Sequence, residues 1–189
     1  MVGNALEVTE SVDTLKGRGP SDLEALSIEL AAWMVHLGGK AEGLDAARAK
    51  VRESLRSGAG LRKFQEVIAL QGGDPRVCDD TALLPRARET VEVRATAEGR
   101  VTRIACRAVG HAAMLLGAGR ETVDSRIDPA VGIVLHKKVG DPVVMGEPIA
   151  TVHVNERARR DECVARLTEA IRIGPEAPPS RPLVRSVLA

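Results

Sequence analysis

Apolar residues recur at three- and four-residue steps through residues 1–75 and alternate with polar ones beyond residue 89. The first regime predicts helices and the second predicts strands. Ala5–Leu15 reads as a helix, stopped by Lys16-Gly17-Arg18-Gly19-Pro20. Ser21 and Asp22 are candidate caps for the next helix, with Glu24 three residues after Ser21 as a capping box requires. That helix, Asp22–Leu37, carries Leu23, Leu26, Leu30, Trp33, Met34 and Leu37 at helical spacing. Ile28, Ala31, Ala32 and Val35 fall on its other faces, so burial on more than one side is expected. Gly38-Gly39 ends it. Leu44–Leu55 and Leu61–Leu70 follow as more polar helices, the last closed by Gly72-Gly73-Asp74-Pro75.

Residues 76–88 hold no sustained period and include Pro85, so they read as a connection. Strands are then expected at Val91–Ala95, Val101–Cys106, Val131–Leu135 and Ile149–Val154. A short helix is expected at Ala108–Leu116, stopped by Gly117-Ala118-Gly119. Asn155 is the expected N-cap of a polar helix Glu156–Ile171, and the Pro-rich tail from Gly174 to Pro182 reads as extended.

Composition narrows the function classes. A hydrophobic share of 44% supports a real core, yet the chain has one Trp, one Phe and no Tyr, so that core must be aliphatic. The same scarcity removes the stacking platforms that single-stranded nucleic acid needs. A net charge of +1 gives no field to attract polyanions, and no nucleic-acid partner is expected. No apolar run approaches the ~20 residues of a membrane span, and no signal peptide is read. Cys78, Cys106 and Cys163 are odd in number and lack CxxC spacing, which fits reduced thiols in a cytoplasmic protein.

Candidate chemistry is sparse. Gly38-Gly39-Lys40 and Gly117-Ala118-Gly119-Arg120 follow apolar helices, where glycine acts as a C-cap rather than a phosphate cradle. Gly3 and Asn4 precede a helix and are the candidates for a place near a ligand, although they do not form a complete site alone. His36, His111, His136 and His153 are scattered, without metal-ligand spacing, and no serine lies in a GxSxG elbow. Asp79-Asp80 reads as a solvated pair. No catalytic residue, metal site or cofactor is assigned. Val139–Val152 resembles the second half of a lipoyl- or biotinyl-type β-sandwich, and Glu98–Val101 resembles an opening turn of such a unit. Lys137 and Lys138 lack a carrier motif, so a structural sandwich without a swinging arm is expected.

Several stretches in order resemble the pyrimidine nucleoside phosphorylases, the family that includes thymidine phosphorylase. They are VGNALEV (Val2–Val8), LKGRGPSDL (Leu15–Leu23), ALQGGDPRVCDD (Ala69–Asp80), LPRARE (Leu84–Glu89) and the long run Leu116–His153. VGNALEV resembles an internal segment of that family, with Met1 as an internal methionine or a misplaced start. The resemblance therefore implies a C-terminal fragment. The implied fold is α/β, α+β in this fragment. Residues 1–75 would be a helical portion of an incomplete α/β domain, 76–88 a connection, and 89–189 a C-terminal α+β subdomain with a sandwich-like β unit.

The resemblance implies reversible phosphorolysis of thymidine, deoxyuridine or uridine in the complete enzyme. The family's phosphate and base ligands lie upstream of VGNALEV, so the chain alone is expected to be inactive. Some family members bind a structural metal ion partly through the helix corresponding to Asp22–Leu37 and a glutamate just beyond it. Gly39 stands in that glutamate's place here, so the resemblance implies no such site. The homodimer interface lies mostly in a domain this fragment lacks. An upstream N-terminal fragment is the expected partner, and without it the Asp22–Leu37 helix should leave an apolar patch and poor solubility. A different expectation is a stand-alone, non-catalytic interaction module that keeps the phosphorylase C-terminal fold.

Overall fold

The computed structural model describes residues 1–188 and shows an α+β chain with six α-helices and two antiparallel sheets. Two compact units divide it. The first comprises Met1–Val8 and Leu84–Ser180, and the second comprises Thr9–Leu83 together with residues 181–188.

In the α+β unit, β1 (Val2–Gly3), β2 (Glu89–Arg94), β4 (Gly132–Leu135) and β6 (Pro148–Val154) form a sheet in the order β1-β4-β6-β2. A second sheet has the order β5-β3-β7, from β3 (Gly99–Ile104), β5 (Pro142–Val143) and β7 (Ile171–Gly174). The predicted alternation sets the register. Val91 lies opposite Val152 and Val93 opposite Ala150, while Ile133 also faces Val152, so one face of the larger sheet is aliphatic. Helices α5 (Cys106–Leu115) and α6 (Arg160–Ala170) add Val109, Ala112, Cys163 and Leu167 to the same core. Ile133, Val152 and Leu167 have no solvent exposure, and the core contains no aromatic residue. The carrier-like segment Val139–Val152 spans both sheets, with Val143 in the smaller and Ile149–Val152 in the larger.

Two expectations here need correction. Ile171 does not end the last helix. It opens β7, which pairs with β3, and the backbone N–H of Ala105 donates to the carbonyl of Ala170 at 2.9 Å. Asn155 does not cap α6. A short 3-10 turn at Arg157–Arg159 precedes that helix, and the amide of Asn155 ties two loops together instead. Glu89 anchors this end of the molecule by accepting from Arg157 Nε at 2.9 Å and Arg160 Nη1 at 3.0 Å. Those two hydrogen bonds hold its carboxyl below the usual carboxylate range.

The helical unit contains most of α1 (Asn4–Leu15) and all of α2 (Ser21–Leu37), α3 (Leu44–Arg56) and α4 (Ala59–Leu70). Its α2 starts at Ser21 behind Pro20, whose fixed φ of −61° sets the N-cap, and no side chain caps it. The Ser21–Glu24 capping box is thus not formed, and Asp22 Oδ1 accepts from Leu23 N at 2.9 Å. Arg48 of α3 grips Glu29 of α2 with two bonds, at 2.7 and 2.8 Å, and binds Asp45 at 2.8 Å. The paired guanidinium lowers the pKa of Glu29. The expected connection, residues 76–88, overlaps two short 3-10 turns, Pro75–Cys78 and Thr81–Leu83, the first capped by Asp74.

Candidate functional site

Gly3 and Asn4 sit where β1 passes into α1. Gly3 faces Gly132 across the β1–β4 pair. A Cβ on Gly3 would lie 2.7 Å from Val131 O, and one on Gly132 would lie 2.4 Å from Val2 O, so the two backbones approach as only glycines allow. The N–H of Gly3 donates to Glu7 Oε1 at 2.9 Å, and Asn4 Nδ2 donates to Ala118 O at 2.9 Å. Ala5 N donates to Pro129 O at 3.0 Å. The start of α1 therefore reaches both ends of the loop that follows α5.

Asp128 organises that loop. Its N–H donates to Gly117 O at 2.9 Å, Oδ1 accepts from Ala130 N at 2.9 Å and Oδ2 accepts from Asn155 Nδ2 at 2.6 Å. Asn155 Oδ1 in turn accepts from Arg88 N at 2.8 Å. Beside this network lies a polar cavity of about 250 Å³ whose polar side chains include Glu121, Ser125, Arg126, Asp128, Glu156 and Arg159. Arg159 Nη1 donates to Glu121 Oε1 at 2.7 Å, and Thr122 N donates to Ser125 Oγ at 2.9 Å. Two guanidinium groups against three carboxylates leave this cavity without a strong field for an anion. Its side chains are largely hydrogen-bonded to one another and to neighbouring backbone. They do not form a nucleophile paired with a base.

The remaining candidates are separated. Gly39 (φ 66°) and Gly117 (φ 97°) stand in left-handed conformation at the C-terminal ends of α2 and α5, the capping use of glycine. His36 lies edge-on to Trp33 and its Nδ1 is 3.3 Å from Ala41 O. His111 is exposed on α5. His136 Nε2 and Thr151 Oγ1 are 2.7 Å apart, and the nearby His153 is half-buried. Burial, and then the charge of His136, lower the pKa of His153.

Asp79 Oδ1 accepts from Gln65, and Asp80 Oδ1 caps Ala82 N. Lys137 pairs with Glu147 at 2.5 Å and donates to Pro142 O at 3.0 Å, so it is held against the fold rather than free to swing. Lys138 Nα donates to Asp141 Oδ2 at 2.7 Å in the turn between β4 and β5. Cys106 is exposed, whereas Cys78 and Cys163 are buried, and burial pushes the Cys163 thiol up to about 11. Among the described residues, no group of three or more His, Cys, Asp or Glu side chains could hold a metal ion. Also among them, no helix is long and apolar enough to cross a membrane.

Residues 100–174, which run from β3 through the Asp128 loop to β7, match the pyrimidine nucleoside phosphorylase C-terminal domain. The chain carries the C-terminal domain of that family. Three relatives extend the similarity to nearly the whole chain. A pyrimidine-nucleoside phosphorylase of Bacillus subtilis is 49% identical over 176 residues, 93% of this chain and 40% of that protein. The Geobacillus stearothermophilus pyrimidine-nucleoside phosphorylase is 47% identical over 172 residues, 91% of this chain and 40% of that protein. The pyrimidine-nucleoside phosphorylase of Staphylococcus aureus strain USA300 is 48% identical over 172 residues, with the same coverage of each. The chain thus spans about 40% of the length of the curated relatives it matches, at their C-terminal end.

Within the phosphorylase C-terminal domain, sequence reasoning missed Asp128 and read Asn155 only as a helix cap, not as the partner with which Asp128 shapes the loop. Asp128 had a local signal, since Asp before Pro favours a turn closed by the aspartate side chain. Asn155 had none, because its partners Arg88 and Asp128 lie 67 and 27 residues away.

Proposed function

We propose that the chain is the C-terminal part of an enzyme that cleaves pyrimidine nucleosides with phosphate, and that these 189 residues do not catalyse the reaction alone. The observation that carries this reading is 49% identity across 93% of the chain to a pyrimidine-nucleoside phosphorylase whose length it covers to only 40%. In the proposed reaction a phosphate oxygen forms a bond to the anomeric carbon while the bond from that carbon to the base nitrogen breaks. The base leaves with the electron pair and takes up a proton. Such chemistry needs cationic and N–H donors gathered around phosphate and the departing base.

The described residues gather no comparable set. Arg126 and Arg159 share their cavity with three carboxylates, and the N–H of Gly3 is spent on Glu7. In this reading the α+β unit is a support and the phosphate and base ligands come from an N-terminal partner segment. The expected setting is cytoplasmic nucleoside salvage.

The test is phosphate-dependent cleavage of thymidine and uridine by the purified chain. It is run with and without a separately supplied N-terminal part of the Bacillus subtilis relative. Turnover that appears only on adding that part supports the proposal. Turnover by the 189 residues alone overturns it.

A further inference from the structure

The smaller sheet sets two arginines side by side. In the antiparallel pair β3–β7, Val101 lies opposite Ile173, Arg103 opposite Arg172 and Ile104 opposite Ile171. Val101 and Ile171 are buried, and Ile104 and Ile173 pack on the same core, so these pairs point inward. Alternation along β7 then puts Arg172 on the outward face. Strict alternation along β3 would send Arg103 inward with Val101. A register shift between Val101 and Arg103 adds Thr102 to β3 and turns Arg103 outward, beside Arg172. Thr102 Oγ1 donates to the carbonyl of Arg172 at 3.2 Å and fastens this irregularity to β7.

Both arginines are exposed, and among the described residues neither guanidinium takes part in a hydrogen bond or ion pair. Glu169, at the end of α6, and Glu176, beyond β7, are the carboxylates nearest Arg172 along the chain, and neither pairs with it. Arg100, opposite Gly174 on the same face, donates from Nη1 to the carbonyl of Gly140 at 2.9 Å and adds a third positive charge. Like charges directly across a ladder destabilise the strand pair. Other arginines of this chain have carboxylates, as Arg48 has Glu29, Arg157 and Arg160 have Glu89, and Arg166 has Glu162. The Arg103–Arg172 pair is completed by an anion from outside the chain.

We infer that Arg103 and Arg172 form a binding site for a phosphate monoester dianion. Directly opposite residues have Cβ atoms about 5 Å apart, so two long guanidinium side chains can close on one tetrahedral oxyanion. Each guanidinium presents a fork of N–H donors that suits phosphate oxygens. Two positive charges match a dianion, whereas a carboxylate would neutralise only one. The face is open to water, so affinity on the order of millimolar is expected. Nucleic acid fits less well, because its phosphates carry single charges and the chain's net charge of +1 gives no wider field to hold a polyanion. The site needs no turnover, and the inference does not rest on the reaction proposed above.

The experiment titrates the isotopically labelled chain with glycerol phosphate at about pH 7, where a monoester is mainly dianionic, with ionic strength held by sodium chloride. The amide signals of Thr102, Arg103 and Arg172 should shift and saturate, with half-saturation at roughly 1–10 mM. Sodium acetate should bind about fivefold more weakly or worse. Arg103→Glu sets an opposite charge across from Arg172, so it should keep or raise the thermal midpoint while cutting affinity about tenfold. Arg103→Gln should give a similar loss without creating an ion pair. Arg52→Glu, exposed on α3 of the helical unit, should leave binding unchanged.

Shifts that climb without saturating, equal binding of acetate, or retained affinity in both Arg103 variants would overturn the inference. Equal loss with Arg52→Glu would do so too, because it would show a general response to salt rather than a site.

Discussion

The two units solve the problem of a core without aromatics in different ways. In the α+β unit, Val93, Val101, Ile133, Val152, Val154 and Leu167 are almost wholly buried, because two sheets and two helices enclose them from several sides. In the helical unit the buried apolar residues are Val12, Ile28, Ala32, Ala47, Val77 and Cys78, none larger than isoleucine. The chain's Trp33 and Phe64 both lie in this unit and both stay partly exposed. Its larger aliphatic residues, Leu30, Met34, Leu37 and Leu70, face water. Similar aliphatic content thus gives a closed core in one unit and an open apolar surface in the other. The difference lies in how many elements surround each position.

Substitution should expose that contrast most clearly at Leu167. Leu167→Ala removes a fully buried side chain and should cost about 2–5 kcal/mol in denaturant unfolding of the α+β unit. Met34→Ala, at an exposed site, should stay within about 0.5 kcal/mol. Equal costs would mean that the helical unit is covered at Met34 in solution. Gly132→Ala comes next. Its new Cβ would meet the Val2 carbonyl at 2.4 Å in a backbone with φ of +157°, and a cost of roughly 1–3 kcal/mol is expected. Hydrogen exchange of the β1–β4 amides should rise in that variant, and unchanged exchange would show that β1 does not hold the sheet.

Asn155→Ala removes both ties of one side chain, and a loss of about 1–2 kcal/mol should accompany faster exchange at Arg88 and Ala130. The pH response is smaller. His153 has its folded pKa below the usual 6.5, so the unfolded chain binds that proton first. Its contribution is complete above the unfolded value and is lost as pH falls through the folded one. A denaturation midpoint that drops with pH in this window, and flattens in His153→Gln, is the expected outcome. The smallest effect is chemical, in that a thiol reagent should label Cys106 fast and leave Cys78 and Cys163 until unfolding.

Legibility in the sequence followed the same divide between local and long-range causes. The strands β2 and β3 announce themselves by alternation, β4 and β6 by short Val- and Ile-rich runs, and the helices of residues 1–75 by their three- and four-residue steps. What stayed hidden depended on partners far along the chain. Val2–Gly3 is too short to read as a strand and exists by pairing with Gly132 and Ile133. Ile171-Arg172-Ile173 alternates, but it follows a helix with no Gly or Pro between them, so it reads as helical continuation. At the candidate site, glycine punctuation was legible at Gly39 and Gly117. The convergence of Asn4, Asp128 and Asn155 was not, because it depends on tertiary placement rather than spacing.

The direct passage from α6 into β7 at Ala170–Ile171 also makes chain length a fixed quantity here. Loss of one residue within α6 would turn everything after it by about 100° around the helix axis, while also swapping the inward and outward sides of β7. No loop between them can absorb the slip, so Cys163 and Leu167 on the helix could not keep their places while Ile171 kept its own. Substitutions in this stretch are graded in their effect, but insertions and deletions are not, and a surviving lineage should keep the count of residues from Arg160 to Gly174 even where their identities drift.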